Sequence, residues 1–64
     1  MSAAEALRVL IVDDTRLARR ELRTLLAAHA DIDVVGEADD VPAACGAITT
    51  LRPDLVLLDI QMPS

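Results

Sequence analysis

Arg8-Val9-Leu10-Ile11-Val12-Asp13-Asp14 decides how this chain is read. A β-branched apolar run that ends on two aspartates fits a strand buried on both faces, with acidic groups at its C-terminal tip. Leu55-Val56-Leu57-Leu58-Asp59 repeats the pattern late in the chain, apolar at every position until Asp59. Between them, the segment 33–38 has polar ends and Gly36, which suit an edge strand. The predicted strands therefore span about 8–12, 33–38 and 55–59.

The segments between these strands carry helical signals. Over 16–28, Ala18, Leu22, Leu25 and Leu26 recur at helical spacing and form an apolar stripe. Arg16, Arg19, Arg20 and Arg23 fall on another face, expected to be solvated, with some pairing to Glu21 or to a neighbouring chain. Asp14 or Thr15 can cap this helix, and His29 near its end suits the C-terminal dipole. Over 41–51, Val41, Ala44, Ile48 and Leu51 supply a buried stripe. Asp39 or Asp40 caps the start, Pro42 sits in the first turn, where a missing N–H is harmless, and Pro53 stops the helix. Gly46 in the middle costs about 1 kcal/mol against Ala, which makes this the weaker helix. Residues 1–7 read as a loose lead-in, and the chain shows no repeat or low-complexity tract.

The order is β-α-β-α-β, which implies an α/β fold with a parallel sheet and right-handed crossovers. The predicted strand order is 2-1-3, with the helices on opposite faces. That order leaves the third strand at an edge, although its composition is that of a central strand. An open apolar edge invites pairing with another chain. Two expectations follow. Strands meant to lie beyond it are missing, and a homodimer forms through the strand 3 edge.

Composition bounds the function. The chain has 64 residues, a ceiling of one domain, and domains near that size are marginal. It is 53% apolar without any Phe, Tyr or Trp, so Leu, Ile, Val and Ala must build the core, and disorder is rejected. The net charge of −5 disfavours nonspecific nucleic-acid binding by this segment. All six basic residues are Arg. A lone Cys45 cannot form an internal disulfide and reads as a small buried hydrophobe in a reduced, cytoplasmic setting. No apolar run approaches the roughly 20 residues of a membrane span.

The chemistry lies in the carboxylates. Asp13 and Asp14 end the first strand and Asp59 ends the third, and parallel neighbours bring these ends to one side of the sheet. Ligands of open α/β sheets bind at such a switch point. Capping of the first helix alone explains Asp13 and Asp14, and a strand-end turn alone explains Asp59, but neither explains their coincidence. Three converging carboxylates repel. Mg²⁺, which takes oxygen ligands from one or two carboxylates, water and phosphate oxygens, offsets this. Asp59 is then placed to attack phosphorus as a nucleophile. Asp14, and less directly Asp13, hold the metal, with the Gln61 backbone carbonyl as a further ligand.

Together, Leu10-Ile11-Val12-Asp13-Asp14, Val35-Gly36-Glu37-Ala38 and Pro53-Asp54-Leu55-Val56-Leu57-Leu58-Asp59-Ile60-Gln61-Met62-Pro63 resemble bacterial two-component response-regulator receiver domains. The resemblance runs from Arg8 to the end of the chain. Leu17-Ala18-Arg19-Arg20-Glu21-Leu22 looks most like regulators of transcription that carry a LytTR-type DNA-binding output domain. The resemblance implies a truncated flavodoxin-like fold, with residues 1–64 as a partial receiver domain. It implies Asp59 as the phosphoacceptor served by a sensor histidine kinase, Asp13 and Asp14 as the acidic pair, and Gln61 as the residue lending its carbonyl to Mg²⁺. Departures from the pattern are Thr15 where Glu is frequent, Val41-Pro42 where Gly is frequent, and no counterpart to the later Ser/Thr and Lys that contact the phosphoryl group. The expectation is thus an impaired phosphoacceptor module rather than an enzyme. The rivals are a self-associating structural fragment and another α/β phosphoryl-transfer domain. The last wants Asp-x-Asp or a Gly-rich first turn, where this chain has Asp13-Asp14-Thr15 and no early glycine.

Overall fold

A computed structural model describes residues 6–59. Strand β1 (Leu7–Asp13) is followed by helix α1 (Arg16–Leu26), strand β2 (Ile32–Ala38), helix α2 (Val41–Leu51) and strand β3 (Leu55–Asp59). The sheet is parallel in the order β2-β1-β3. The fold is therefore the three-strand, two-helix beginning of a flavodoxin-like sheet, with β1 central.

Among the described residues four large side chains are fully buried, and all four lie on β1: Val9, Leu10, Ile11 and Val12. An apolar strand between two others, under a helix on each face, has no solvated side, which is why its sequence does not alternate. Leu10 and Val12 face α2 and form the core with Ala38 and Ala44, flanked by Ala47, Leu51 and Val56. Val9 and Ile11 point to the other face by alternation, beneath α1.

The pairing of β1 with β2 contains an irregularity. Val9 stands opposite Val34 but Leu10 opposite Gly36, so Val35 is an extra residue. A one-residue slip exchanges the faces of everything beyond it. Here it puts Gly36 on the α2 face, where a methyl group on Gly36 would meet Leu51 Cδ1 at 2.7 Å. Gly36 thus suits the close approach of α2, where a larger residue would make the Leu51 side chain shift, as well as suiting an edge strand. The same slip turns Glu37 opposite Ile11 onto the α1 face.

Several expectations need correcting. Helix α1 ends at Leu26 rather than 28, because Ala28 N–H and His29 N–H bond to Leu25 and Leu26 in tighter i→i−3 turns. Strand β1 includes Leu7 and Asp13, and β2 begins at Ile32. Leu25 is 67% exposed, and α1 rests on the sheet through half-buried Ala18, Leu22 and Leu26. In α2 the covered stripe is Ala44, Ala47 and Leu51, while Val41 and Ile48 are exposed. Small side chains let the helix sit close over the sheet, and its larger residues then fall on the flanks. Cys45, next to that stripe, is exposed rather than buried. Arg19 and Arg23 pair with Glu37 of β2 and not with Glu21.

Asp40 caps α2, its Oδ1 accepting from Ala43 N–H at 2.8 Å, with Pro42 in the first turn. At the other end Arg52 adopts a left-handed conformation, φ 49°, closing the helix where glycine is usual. This conformation costs an L-residue roughly 1–2 kcal/mol, partly offset in glycine by about 0.5–1 kcal/mol of chain entropy. Arg52→Gly is therefore expected to raise stability by about 0.5–1 kcal/mol, read from the urea midpoint by circular dichroism. The backbone contacts at this position, Arg8 Nη1 to Arg52 O at 3.1 Å and Arg52 N–H to Ile48 O at 2.9 Å, survive the change.

Among the described residues, strand β3 is bonded to β1 alone. Its start is clamped: Arg8 N–H donates to Asp54 Oδ2 at 2.9 Å, and Asp54 N–H donates to Arg8 O at 2.8 Å. This clamp sets Val9 opposite Leu55, and the register then runs without slip to Asp13 opposite Asp59. Among the described residues no strand covers the outer edge of β3, with Leu55 43% and Leu58 65% exposed.

Candidate functional site: the acidic end of the sheet

The unbroken register between β1 and β3 places Asp13 and Asp59 side by side at the C-terminal end of the sheet. Parallel neighbours are about 4.8 Å apart, so both side chains leave the sheet on the same face. Their settings differ. Asp13 is 6% exposed, at the end of a strand buried along most of its length. Asp59 is exposed on the edge strand. Asp14, the next residue, is exposed in the loop that leads into α1.

That loop is closely held. Asp13 Oδ1 accepts from Thr15 N–H at 2.8 Å, so the first carboxylate shapes its own turn. Thr15 occupies the cap position of α1 without a side-chain capping bond. Its hydroxyl lies 3.4 Å from Asp14 Oδ1. The main-chain oxygen of Asp13 accepts from Arg19 Nη1 at 2.6 Å. Arg19 Nε also donates to Glu37 Oε1 at 3.2 Å, and Glu37 Oε2 accepts from Arg23 Nη1 at 2.5 Å. Arg19, Glu37 and the Thr15 amide were not singled out by sequence. The available signal was the i, i+4 spacing of Arg19 and Arg23, which offers two cations to a single acidic partner.

A cleft of about 360 Å³ adjoins the carboxylates, between α1 and the β1–β3 edge. Val12, Ala18, Leu22, Leu57 and Leu58 form its apolar walls, and Asp13, Glu21 and Asp59 its acidic lining. Among the described residues, no three His, Cys, Asp or Glu side chains gather into a ready metal cage. Asp13 and Asp59 are adjacent and Asp14 stands outside them in the loop. Gln61 lies outside the described residues. Among the described residues no helix is long and apolar enough to cross a membrane.

A parallel sheet in the order 2-1-3, with one acidic residue ending each of the two adjacent strands β1 and β3 and a second in the loop between β1 and α1, defines a class. The response regulator receiver domain pattern matches residues 9–64, and the chain belongs to that family. Similar proteins include the transcriptional regulatory protein BtsR of Salmonella typhimurium, 54% identical over 57 residues, and BtsR of Escherichia coli K12, 51% identical over the same length. Each comparison covers 89% of this chain and 24% of the relative. The sensory transduction protein LytT of Bacillus cereus is 48% identical over 56 residues, which is 88% of this chain and 23% of LytT. The chain thus spans about a quarter of the length of the curated relatives it matches. No solved structure gives a significant match.

Proposed function

We propose that this chain carries the acceptor half of a phosphorelay receiver, with Asp59 as the phosphoacceptor. The observation that supports this reading is the register that sets exposed Asp59 beside buried Asp13 at the mouth of the cleft. An exposed carboxylate on a strand end is accessible to a bulky donor, and its buried neighbour is held in place to receive a cation.

The donor set fits Mg²⁺: carboxylate oxygens are hard ligands, and the Asp13 side chain is pinned through one oxygen to Thr15 N–H. Asp13, Asp14 and Asp59, with the Gln61 backbone carbonyl, would hold it. Bound there, Mg²⁺ supplies neutralising charge for the carboxylates and the incoming phosphoryl group. An Asp59 carboxylate oxygen attacks phosphorus, and a new O–P bond forms as the P–N bond to a kinase phosphohistidine breaks. The bonding pair returns to the imidazole nitrogen. Asp13 stays bonded to the Thr15 amide, and Asp14 faces solvent where a cation enters. The module is a signalling switch served by a sensor histidine kinase, works in the cytoplasm, and makes no nucleic-acid contact of its own at a net charge of −5. The BtsR name favours a transcription regulator as the whole protein, and the LytT name a role in sensory transduction.

Within these 64 residues there is no Lys, the residue type that the resemblance places after a fifth strand. We therefore expect slow acceptor chemistry from this chain alone. Incubation with Mg²⁺ and acetyl phosphate, followed by intact mass and borohydride trapping, tests the reading. A phosphoryl adduct that maps to Asp59 supports it. A folded sample that gains no adduct means that the chain has the receiver architecture without acceptor chemistry.

The open β3 edge favours a second reading, self-association through that edge. The apolar groups of Leu55 and Leu58, with the free backbone N–H and C=O groups beside them, form a pairing template. A folded monomer by light scattering at micromolar concentration removes this reading.

A further inference from the structure

We propose that Arg19 is a positioning residue for the acidic site, acting through the Asp13 backbone and anchored by Glu37. The inference rests on the reading of Asp13 and Asp14 as metal carboxylates. It goes beyond that reading in assigning a role to a residue on α1 that is not itself a ligand.

The geometry is a chain of charged hydrogen bonds across three elements. Arg19 Nη1 donates to the main-chain oxygen of Asp13 at 2.6 Å, at the junction of β1 and the loop. The guanidinium is kept from rotating by its second bond, Nε to Glu37 Oε1 at 3.2 Å. Glu37 is in turn fixed by Arg23 from the next turn of α1. The Arg19 side chain is 16% exposed, far less than that of Arg23, so it is a packed part of this corner rather than a solvated arginine. A planar guanidinium can meet a carbonyl and a carboxylate at once, which an ammonium cannot do with the same rigidity. Opposite the Arg19 bond, the Asp13 side chain is held by Thr15 N–H. Residue 13 is therefore gripped at its carbonyl and at its carboxylate, and Asp14, one bond further on, inherits its direction from that grip.

Charge alone makes the opposite prediction. Arg19 is a cation beside acidic groups, so a purely electrostatic role would have it weaken cation binding. Removing it would then tighten the site. A positioning role predicts that removing it loosens the site, as loss of an outer-shell partner typically lowers metal affinity about 10–100-fold.

The test uses Mn²⁺ alone as the probe, its free six-line electron paramagnetic resonance signal reporting binding to the full 64-residue chain, with circular dichroism as the control for folding. The expected result is affinity lowered about tenfold in Arg19→Met and also in Glu37→Gln, which keeps the Arg19 charge but loosens its anchor. The exchange Arg19→Glu with Glu37→Arg restores an ion pair between α1 and β2 but leaves the Asp13 carbonyl without its donor. Its melting point is expected to recover while Mn²⁺ affinity does not. Affinity that recovers in the exchange overturns the proposal, because the effect then belongs to helix docking or to local charge and not to the donor on the Asp13 carbonyl. Unchanged or tighter binding in Arg19→Met, with wild-type binding intact, overturns the positioning role and leaves the metal reading standing. A folded wild-type chain that takes up no Mn²⁺ overturns both.

Discussion

Leu10→Ala is expected to remove about 3 kcal/mol of stability, the larger part of what a chain of this size has. Leu10 is fully buried on the central strand, packed with Val12, Ala38 and Ala44 and beside Gly36. Truncation deletes apolar atoms from that cluster and leaves a cavity that strands on both sides prevent from collapsing. The usual penalty for such a change is about 2–5 kcal/mol, against about 5–15 kcal/mol of total stability for an ordinary domain. This chain stands at the low end of that range. Among the described residues its large fully buried side chains all lie on one strand, and it contains no aromatic side chain to add area. Urea denaturation followed by far-ultraviolet circular dichroism measures the loss. Leu25→Ala is the matched control: the same atoms leave a side chain that is 67% exposed, and the expected change is within about 0.5 kcal/mol. Equal losses in the two variants would mean that burial on β1 does not carry the fold.

Asp59→Asn is expected to abolish the phosphoryl adduct while stabilising the fold. An amide oxygen is neutral and a poor nucleophile towards phosphorus, so the acceptor oxygen is lost with no change in shape. The stability change follows from register. Asp13 and Asp59 are direct neighbours on adjacent strands, and like charges so placed are destabilising. Removing one charge relieves that repulsion by a few tenths of a kcal/mol, a small figure because Asp59 is solvated. Intact mass after treatment with acetyl phosphate and Mg²⁺ reads the first effect, and the urea midpoint reads the second. The relief should shrink when Mg²⁺ is added to the wild type, because the cation offsets the same repulsion. An adduct that persists in Asp59→Asn places the acceptor elsewhere. A variant less stable than the wild type means that the exposed carboxylate makes a favourable contact that outweighs the repulsion.

The order of elements and the order of strands were legible in the chain because each rests on a local pattern. A doubly buried strand has no polar alternation, and Val9 to Val12 has none. A parallel β-α-β-α-β chain has few ways to lay down its strands, and β2-β1-β3 is the one that buries β1 on both faces and sends Asp13 and Asp59 to the same end. Capping was equally local: Asp40 and Pro42 lie within one helical turn of the groups they serve.

Burial of the helices was less legible. Periodicity marks an apolar face but not its rotation, so Val41 and Ile48 in α2 and Leu25 in α1 read as core while the sheet covers Ala44, Ala47 and Leu51, and Ala18 and Leu22. Cys45 was read as buried from its residue type, which says nothing of the face of the helix it occupies.

The skeleton of the site was written into the chain: an apolar central strand, two strand tips bearing carboxylates, and a topology that makes them neighbours. What holds that site in place came only with the packing of its elements. The extra residue at Val35 turns Glu37 to the α1 face, where Arg19 and Arg23 wait. In an unbroken register Glu37 would stand opposite Val12, on the face of α2. The Arg8–Asp54 clamp likewise joins residues far apart in the chain. Hydrophobic patterns persist through a one-residue slip on an edge strand, but the partners of charged side chains do not. Ion pairs across elements are therefore set by register, and register exists only once the sheet has formed.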